Sequence, residues 1–314
     1  MRMDTFGWLG LALYLLLATV ALIASFRPHS HERAVLKFAE NVGLPLPQRL
    51  AEPILHRMLA RRRSSTVGGM VGAVATALVL LVSPSGSDNG SLLTPLFIVA
   101  GIFAGATIGT SVSAVKSSSV RAPSEKARYA RVHAVELHDY VSRVELWLAR
   151  VPVVLAVVAV VAGVTLAGAG VMNYTGLTAL LASIALSLVA VSTLIAHEVV
   201  GRRVVAMGNH VGSPEELVWE DALRAMTIRE LAVAPTFLGY YALLMAINPL
   251  LVSPDDSART GFAIASLGVA ILTAVIALGM LVSVLAVKRH FLRRLWPELA
   301  ATAGNPHPTT VEGG

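Results

Sequence analysis

Residues 151–171 read VPVVLAVVAVVAGVTLAGAGV, twenty-one consecutive positions without one ionisable side chain. At about 1.5 Å of helical rise per residue such a run spans roughly 30 Å, the thickness of a bilayer's hydrocarbon core. Inside hydrocarbon no water is available for backbone N–H and C=O groups, so the segment must satisfy them internally, as a helix does. The strict apolar/polar alternation over about ten residues that marks a membrane β-barrel is missing. Working outward, six further blocks have the same character: near 6–26, 67–83, 92–115, 176–199, 231–252 and 261–287. The expected fold is an all-α membrane protein with about seven transmembrane helices.

Composition agrees. Hydrophobic residues make up 55% of the 314 and charged residues 14%, where a soluble domain carries about 25% charged. The basic residues fix an orientation. Segments 27–66, 116–150, 200–229 and 288–314 hold eight, seven, four and four Lys or Arg, leaving only Arg2 and Arg259 for the other side. The positive-inside rule puts those segments in the cytoplasm, which requires an outside N-terminus and an inside C-terminus. The first span carries its positive flank (Arg27, Arg33) after the apolar run, the reverse of a secretory signal, so it reads as a retained anchor.

The expected organisation is an N-terminal anchor helix over 1–26, a cytoplasmic amphipathic segment over 27–66, and a first hairpin over 67–115. A cytoplasmic helix over 116–150, a second hairpin over 151–199 and a cytoplasmic helix over 200–230 follow. The third hairpin covers 231–287 and a cytoplasmic tail covers 288–314. The hairpins recur about every 80 residues, a pattern of parallel repeats. Ser213-Pro214-Glu215-Glu216 is a helix start: serine N-cap, proline at the first position, glutamate at the third. Trp219, Leu223 and Met226 then form an apolar stripe that suits docking of a partner protein. From Ser124 a second cytoplasmic helix is expected, with Leu137, Val141, Val144 and Leu148 as its stripe and Asp139 paired to Arg143. Leu50, Ile54 and Met58 suggest a third, entered through Gly43–Pro47.

The run from Pro47 to Gly69, ending Arg61-Arg62-Arg63-Ser64-Ser65-Thr66-Val67-Gly68-Gly69, and the Glu220–Ala225 box carry a resemblance. It is to uncharacterised multi-pass integral membrane proteins of high-GC Gram-positive (actinobacterial) bacteria. The resemblance implies a bacterial cell membrane and brings no activity with it.

Within the spans, Gly101, Gly105 and Gly109 stand four apart, and Gly68, Gly72 and Thr76 form a similar row. Small residues at this spacing let helix backbones touch, so these rows are expected to pack helices together. His197-Glu198, just before Arg202-Arg203, is an ionisable pair at the inner end of the fifth span. Position 201 is Gly, so the second histidine of a zinc-protease helix is absent. Tyr240, Tyr241 and Asn248 are neutral polar groups suited to a cavity in the sixth span. His133, Glu136, His138 and Asp139 hold ligand-type atoms, but a helix turns His133 and His138 about 140° apart. Pro235 is expected in the first turn of its span.

The usual chemistries lack their residues. Without cysteine there is no thiolate nucleophile or disulfide. No phosphate-cradling glycine loop with its lysine occurs, no serine elbow, and no lysine in 261–287 for a retinal Schiff base. No cofactor or metal is expected, and Arg61-Arg62-Arg63 lacks the neighbouring aromatics of a nucleic-acid surface. The arginines suit anionic lipid at the cytoplasmic face. The expected function is a non-enzymatic subunit or scaffold of a membrane complex, with a permease or lipid-handling protein as the alternative.

Overall fold

The computed structural model of the protein describes residues 5–24, 29–82, 90–119, 135–170, 174–206, 213–251 and 290–304. Among them every regular element is helical. The long helices are α1 (Thr5–Ala24), α3 (Gln48–Val82), α4 (Gly90–Ser119), α6 (Arg143–Gly168), α7 (Tyr174–Ala206) and α8 (Pro214–Leu251). Shorter ones are α2 (His29–Val42), α5 (Leu137–Tyr140), α9 (His290–Leu295) and α10 (Pro297–Gly304). Among the described residues four stretches are long and apolar enough to cross a membrane: Phe97–Lys116, Arg143–Gly168, Leu180–Ala206 and Pro214–Ile247. These fall on the expected third, fourth, fifth and sixth spans. The expected first and second coincide with α1 and the second half of α3, and the expected seventh, 261–287, lies outside the described residues.

The bundle is inside out relative to a water-soluble protein. Val71, Val79, Ile108, Val158, Leu188 and Ile195 face outward, while Ala73, Ala156, Ala190, Ala234 and Ala242 are buried. In water the large side chains would be driven inward. In lipid that drive is gone, and small residues go inside because they let helices approach.

The closest approach is between α3 and α4. Gly68 lies against Gly105, Gly72 against Gly101, and Ser64 against Gly109, a register that makes the two helices antiparallel. A Cβ added to any of the five glycines 68, 72, 101, 105 or 109 would overlap a backbone carbonyl or side chain of the facing helix. A second close crossing sets Gly239 of α8 on α6, where its Cβ would lie 2.7 Å from the amide nitrogen of Val153 and 2.9 Å from the carbonyl carbon of Pro152. Helix α8 packs on both α6 and α7, which touch each other less than either touches α8. The second hairpin therefore does not close on itself as the first one does.

A second core sits at the charged end. Val35 and Ala39 of α2, Ile54 of α3, Tyr140 of α5, Trp219 of α8 and Phe291 of α9 belong to one buried cluster. Helix α2 ends in a Schellman motif: Gly43 takes φ 73° and Leu44 N–H donates to Ala39 O at 3.1 Å. That turn sends the chain into α3.

Helix α3 runs unbroken across the expected 66/67 boundary, because nothing between Arg61 and Val67 ends a helix. Two expectations need correction. Pro235 is not in a first turn but inside the 38 residues of α8, since the segment capped by Ser213 continues into the span. Its missing N–H leaves Leu231 O without its ordinary helical donor. The helix expected from Ser124 to Leu148 is broken at Val141, which is extended (φ −128°, ψ 136°). Ser142 and Glu145 form a capping box that starts α6 there, and Asp139 meets Arg294 at 3.4 Å instead of Arg143. Residues 124–134 lie outside the described ones.

A side chain at position 105 has no room, whereas position 168 has open space around it. Gly105→Val should lower stability by at least about 1–3 kcal/mol, as overpacking does. Gly168→Ala should be neutral or gain about 0.5–1 kcal/mol from helix propensity. Thermal unfolding of both variants in one detergent measures the contrast, and equal melting temperatures would count against the glycine contact.

Candidate functional site

Where the apolar bundle ends, ion pairs join helix to helix. From α3 to α8 run Arg49–Glu215 (2.6 Å), Arg57–Glu220 and Arg61–Glu230 (3.0 Å). From α8 to α6 runs Arg229–Glu145 (3.3 Å), and from α6 to α7 runs Arg150–Glu198 (2.5 Å), with Arg202 also on Glu198. The members differ in weight. Arg49 and Glu215 are both well exposed, and such a pair contributes between nothing and about 1 kcal/mol. Arg61 is 6% exposed. Its guanidinium also donates to Thr227 Oγ1 and Leu223 O. Burial lowers the Arg61 pKa and the Glu230 carboxylate opposes that shift. Arginine's high intrinsic pKa keeps it charged throughout.

Beneath this girdle Asp221 is fully buried. Its two oxygens accept from Tyr140 Oη and Trp296 Nε1, each at 2.9 Å. Three elements, α5, α8 and the α9–α10 junction, are tied to one carboxylate. His290 joins the same region, its Nε2 lying 3.1 Å from His138 O. Burial, then the neighbouring Asp221 charge, pushes the Tyr140 phenol up to about 12, against a lowering by Arg224.

The residues singled out from sequence are distributed as follows. Trp219 is 3% exposed and Leu223 9%. The indole packs at 6.0 Å from the Phe38 ring of α2, and Met226 is partly buried beside them. Trp219 and Leu223 are thus covered by the chain's own helices. His197 and Glu198 diverge, being adjacent on a helix. Glu198 reaches Arg150, while His197 is fully buried with neither ring nitrogen hydrogen-bonded among the described residues. The Tyr240 and Tyr241 rings meet at a tilt, with centroids 5.9 Å apart, and the Asn248 side chain lies outside the described residues. His133 does too. Among the described residues no group of three or more His, Asp or Glu side chains is placed to hold a metal ion.

A large cavity lies elsewhere. A groove of about 990 Å³ runs between α3, α4 and α7, floored by Gly68, Gly101 and Ala104 and walled by Val71 and Leu186. Arg63 and Ser64 line its charged end. Neither Tyr240 nor Tyr241 lines it. Sequence reasoning missed this groove because its hollow comes from the third wall, α7. It also missed Asp221, Tyr140 and Trp296. The Ser142-x-x-Glu145 capping signature was available and would have freed Tyr140 from the long helix drawn through it.

No protein-family model, no curated protein and no solved structure matches this chain.

The Tyr140–Asp221 contact has a pH signature. A phenol with pKa 10 when unfolded and about 12 when folded contributes fully below pH 10 and loses that contribution as pH rises towards 12. Tyr140→Phe removes a hydrogen bond to a charged acceptor, at a cost of about 1.5–3 kcal/mol at neutral pH. The gap between wild type and variant should narrow between pH 10 and 12. Denaturant unfolding across that range tests it; a constant gap would show that the phenol titrates normally.

Proposed function

We propose that this chain is an integral protein of a bacterial cell (plasma) membrane that acts as a non-enzymatic subunit or scaffold of a membrane complex. Its charged end forms a folded cytoplasmic platform. The observation that carries this reading is the second core at the charged end. A permease needs a path through the bilayer, whereas this chain devotes α2, α5, α9 and half of α3 and α8 to a structured cap. The ionisable side chains in α3, α6, α7 and α8 cluster at that end, and the opposite turns hold few, Asp88, Asp255, Asp256 and Arg259. An enzyme built on His197 and Glu198 would need the two side chains to converge, and they diverge.

The proposed topology has seven spans with the N-terminus outside. Two features support it. Trp147 is 66% exposed on α6 beside Arg143 and Arg150, the place of an aromatic interfacial anchor. The residues that flank 252–289 also lie far apart along α8. Leu251 ends that helix, while Trp296, soon after His290, is bonded to Asp221. Thirty residues of helix separate those levels, about 45 Å, so a seventh crossing by 261–287 accounts for the return. The resemblance to actinobacterial membrane proteins fits such a location.

The second reading, a lipid-handling protein or permease, is favoured by the groove between α3, α4 and α7. In native mass spectrometry of protein extracted gently from its own membrane, the scaffold reading expects one polypeptide at fixed stoichiometry. The same polypeptide should be lost from Trp219→Ala, which opens the cap and leaves the spans inserted. A chain recovered alone, or one whose partner stays bound to the opened cap, would sink the platform. Topology is separately testable because the chain has no cysteine. Ser87→Cys should react with an impermeant maleimide on intact cells, and Ala301→Cys only after permeabilisation. The reverse pattern would invert the orientation.

A further inference from the structure

We infer that the groove between α3, α4 and α7 is a binding site for one anionic phospholipid, its acyl chain lying along the groove and its phosphate held by Arg63 at the cytoplasmic mouth. The inference rests on the reading of this chain as membrane-embedded with its charged end in the cytoplasm.

The dimensions come first. A cavity of about 990 Å³ lies at the upper end of the usual range for small-molecule pockets. From Arg63 to Thr76 its α3 wall runs 13 residues, about 20 Å. One leaflet of a bilayer core is about 15 Å deep, so a chain entering from the cytoplasmic headgroup level fits lengthwise. The lining decides what fills it. It is overwhelmingly apolar, and water is a poor filling for a cavity that lacks polar partners. Leaving it empty forfeits dispersion contacts on every wall. Val71 and Ile108 are exposed at its open side, which gives lipid chains direct entry.

Charge then selects the headgroup. Three consecutive arginines follow the helix phase into three environments. Arg61 turns into the protein and onto Glu230, Arg62 is exposed, and Arg63 lines the groove. Ser64 stands beside it with a hydroxyl. The α3–α4 register brings Lys116 to the same charged end, level with Arg57. A cationic mouth above an apolar slot matches an acyl chain with an anionic head. A second copy of this chain fits less well, because the glycine faces that would admit another helix are already filled by the α3–α4 contact.

The test reconstitutes purified protein into vesicles of equimolar phosphatidylglycerol and phosphatidylethanolamine. Flotation on a density gradient comes first: protein that fails to float with the vesicles would overturn the membrane reading itself. Floated protein is then extracted in mild detergent and its retained lipid identified by native mass spectrometry. Wild type should retain phosphatidylglycerol about fivefold over phosphatidylethanolamine, the discrimination expected of one arginine near a headgroup. Arg63→Gln should bring that ratio near one without lowering total bound lipid, and Ala104→Leu should lower the total. Since Ala104→Leu can disturb packing, a benzoylphenylalanine at Val71 provides a second readout, with its photo-adduct expected on lipid. Equal retention of the two lipids by floated wild-type protein overturns the proposal, as does an adduct on a second copy or on residues 261–287.

Discussion

Carrying a charged side chain to the middle of a bilayer costs at least about 2.5–3.5 kcal/mol. In this chain the charges of the long helices are gathered where the apolar segments end, and gathering them creates a new difficulty. Cations and anions crowded at one level must be neutralised or hydrated. The chain pairs them across helices, so that α3, α6, α7 and α8 are laced together at one height. Removing one member, such as Glu230, would strand Arg61 in a low-dielectric site, which is why the lacing also fixes the relative rotation of the helices.

Helix α8 is the element the others share. It offers Ala234, Gly239, Ala242 and Ala246 to the bundle, then Trp219, Ala222 and Leu223 to the cap. Small residues mark its closest crossings in the bundle, where Leu238 and Leu243 are buried as well. In the bundle, packing depends on close approach, and in the cap it depends on apolar area removed from water. The α3–α4 contact solves the first problem with glycine, the extreme case.

What could be read from the sequence followed from signals that survive a change of solvent. Hydrophobic runs located α4, α6, α7 and α8, because length and the absence of charge are one-dimensional properties. Ser213 was legible as a cap for the same reason, and Glu216 N–H does donate to its Oγ at 3.2 Å. The Trp219 stripe was legible as a stripe but not as to its partner. An apolar face says only that something covers it, and here that is Phe38 from 180 residues earlier. Arg61, Arg62 and Arg63 are indistinguishable as letters, and only helix phase separates the buried one from the exposed one. The groove depends on α7 standing beside two helices distant in sequence, which no local pattern encodes.

The continuity of α3 and α8 across both layers has a mechanical consequence. A helix of 38 residues is a rod of about 57 Å. If α8 tilts by about 5° at its far end, the geometry of the rod moves its cap end by about 5 Å. No loop interrupts either rod between the layers, so the cap and the bundle share one rigid frame at two points. Bending stress from the bilayer, such as a change in thickness or lateral pressure, would therefore reach the Asp221 region as displacement, less whatever bend the missing N–H of Pro235 admits in α8.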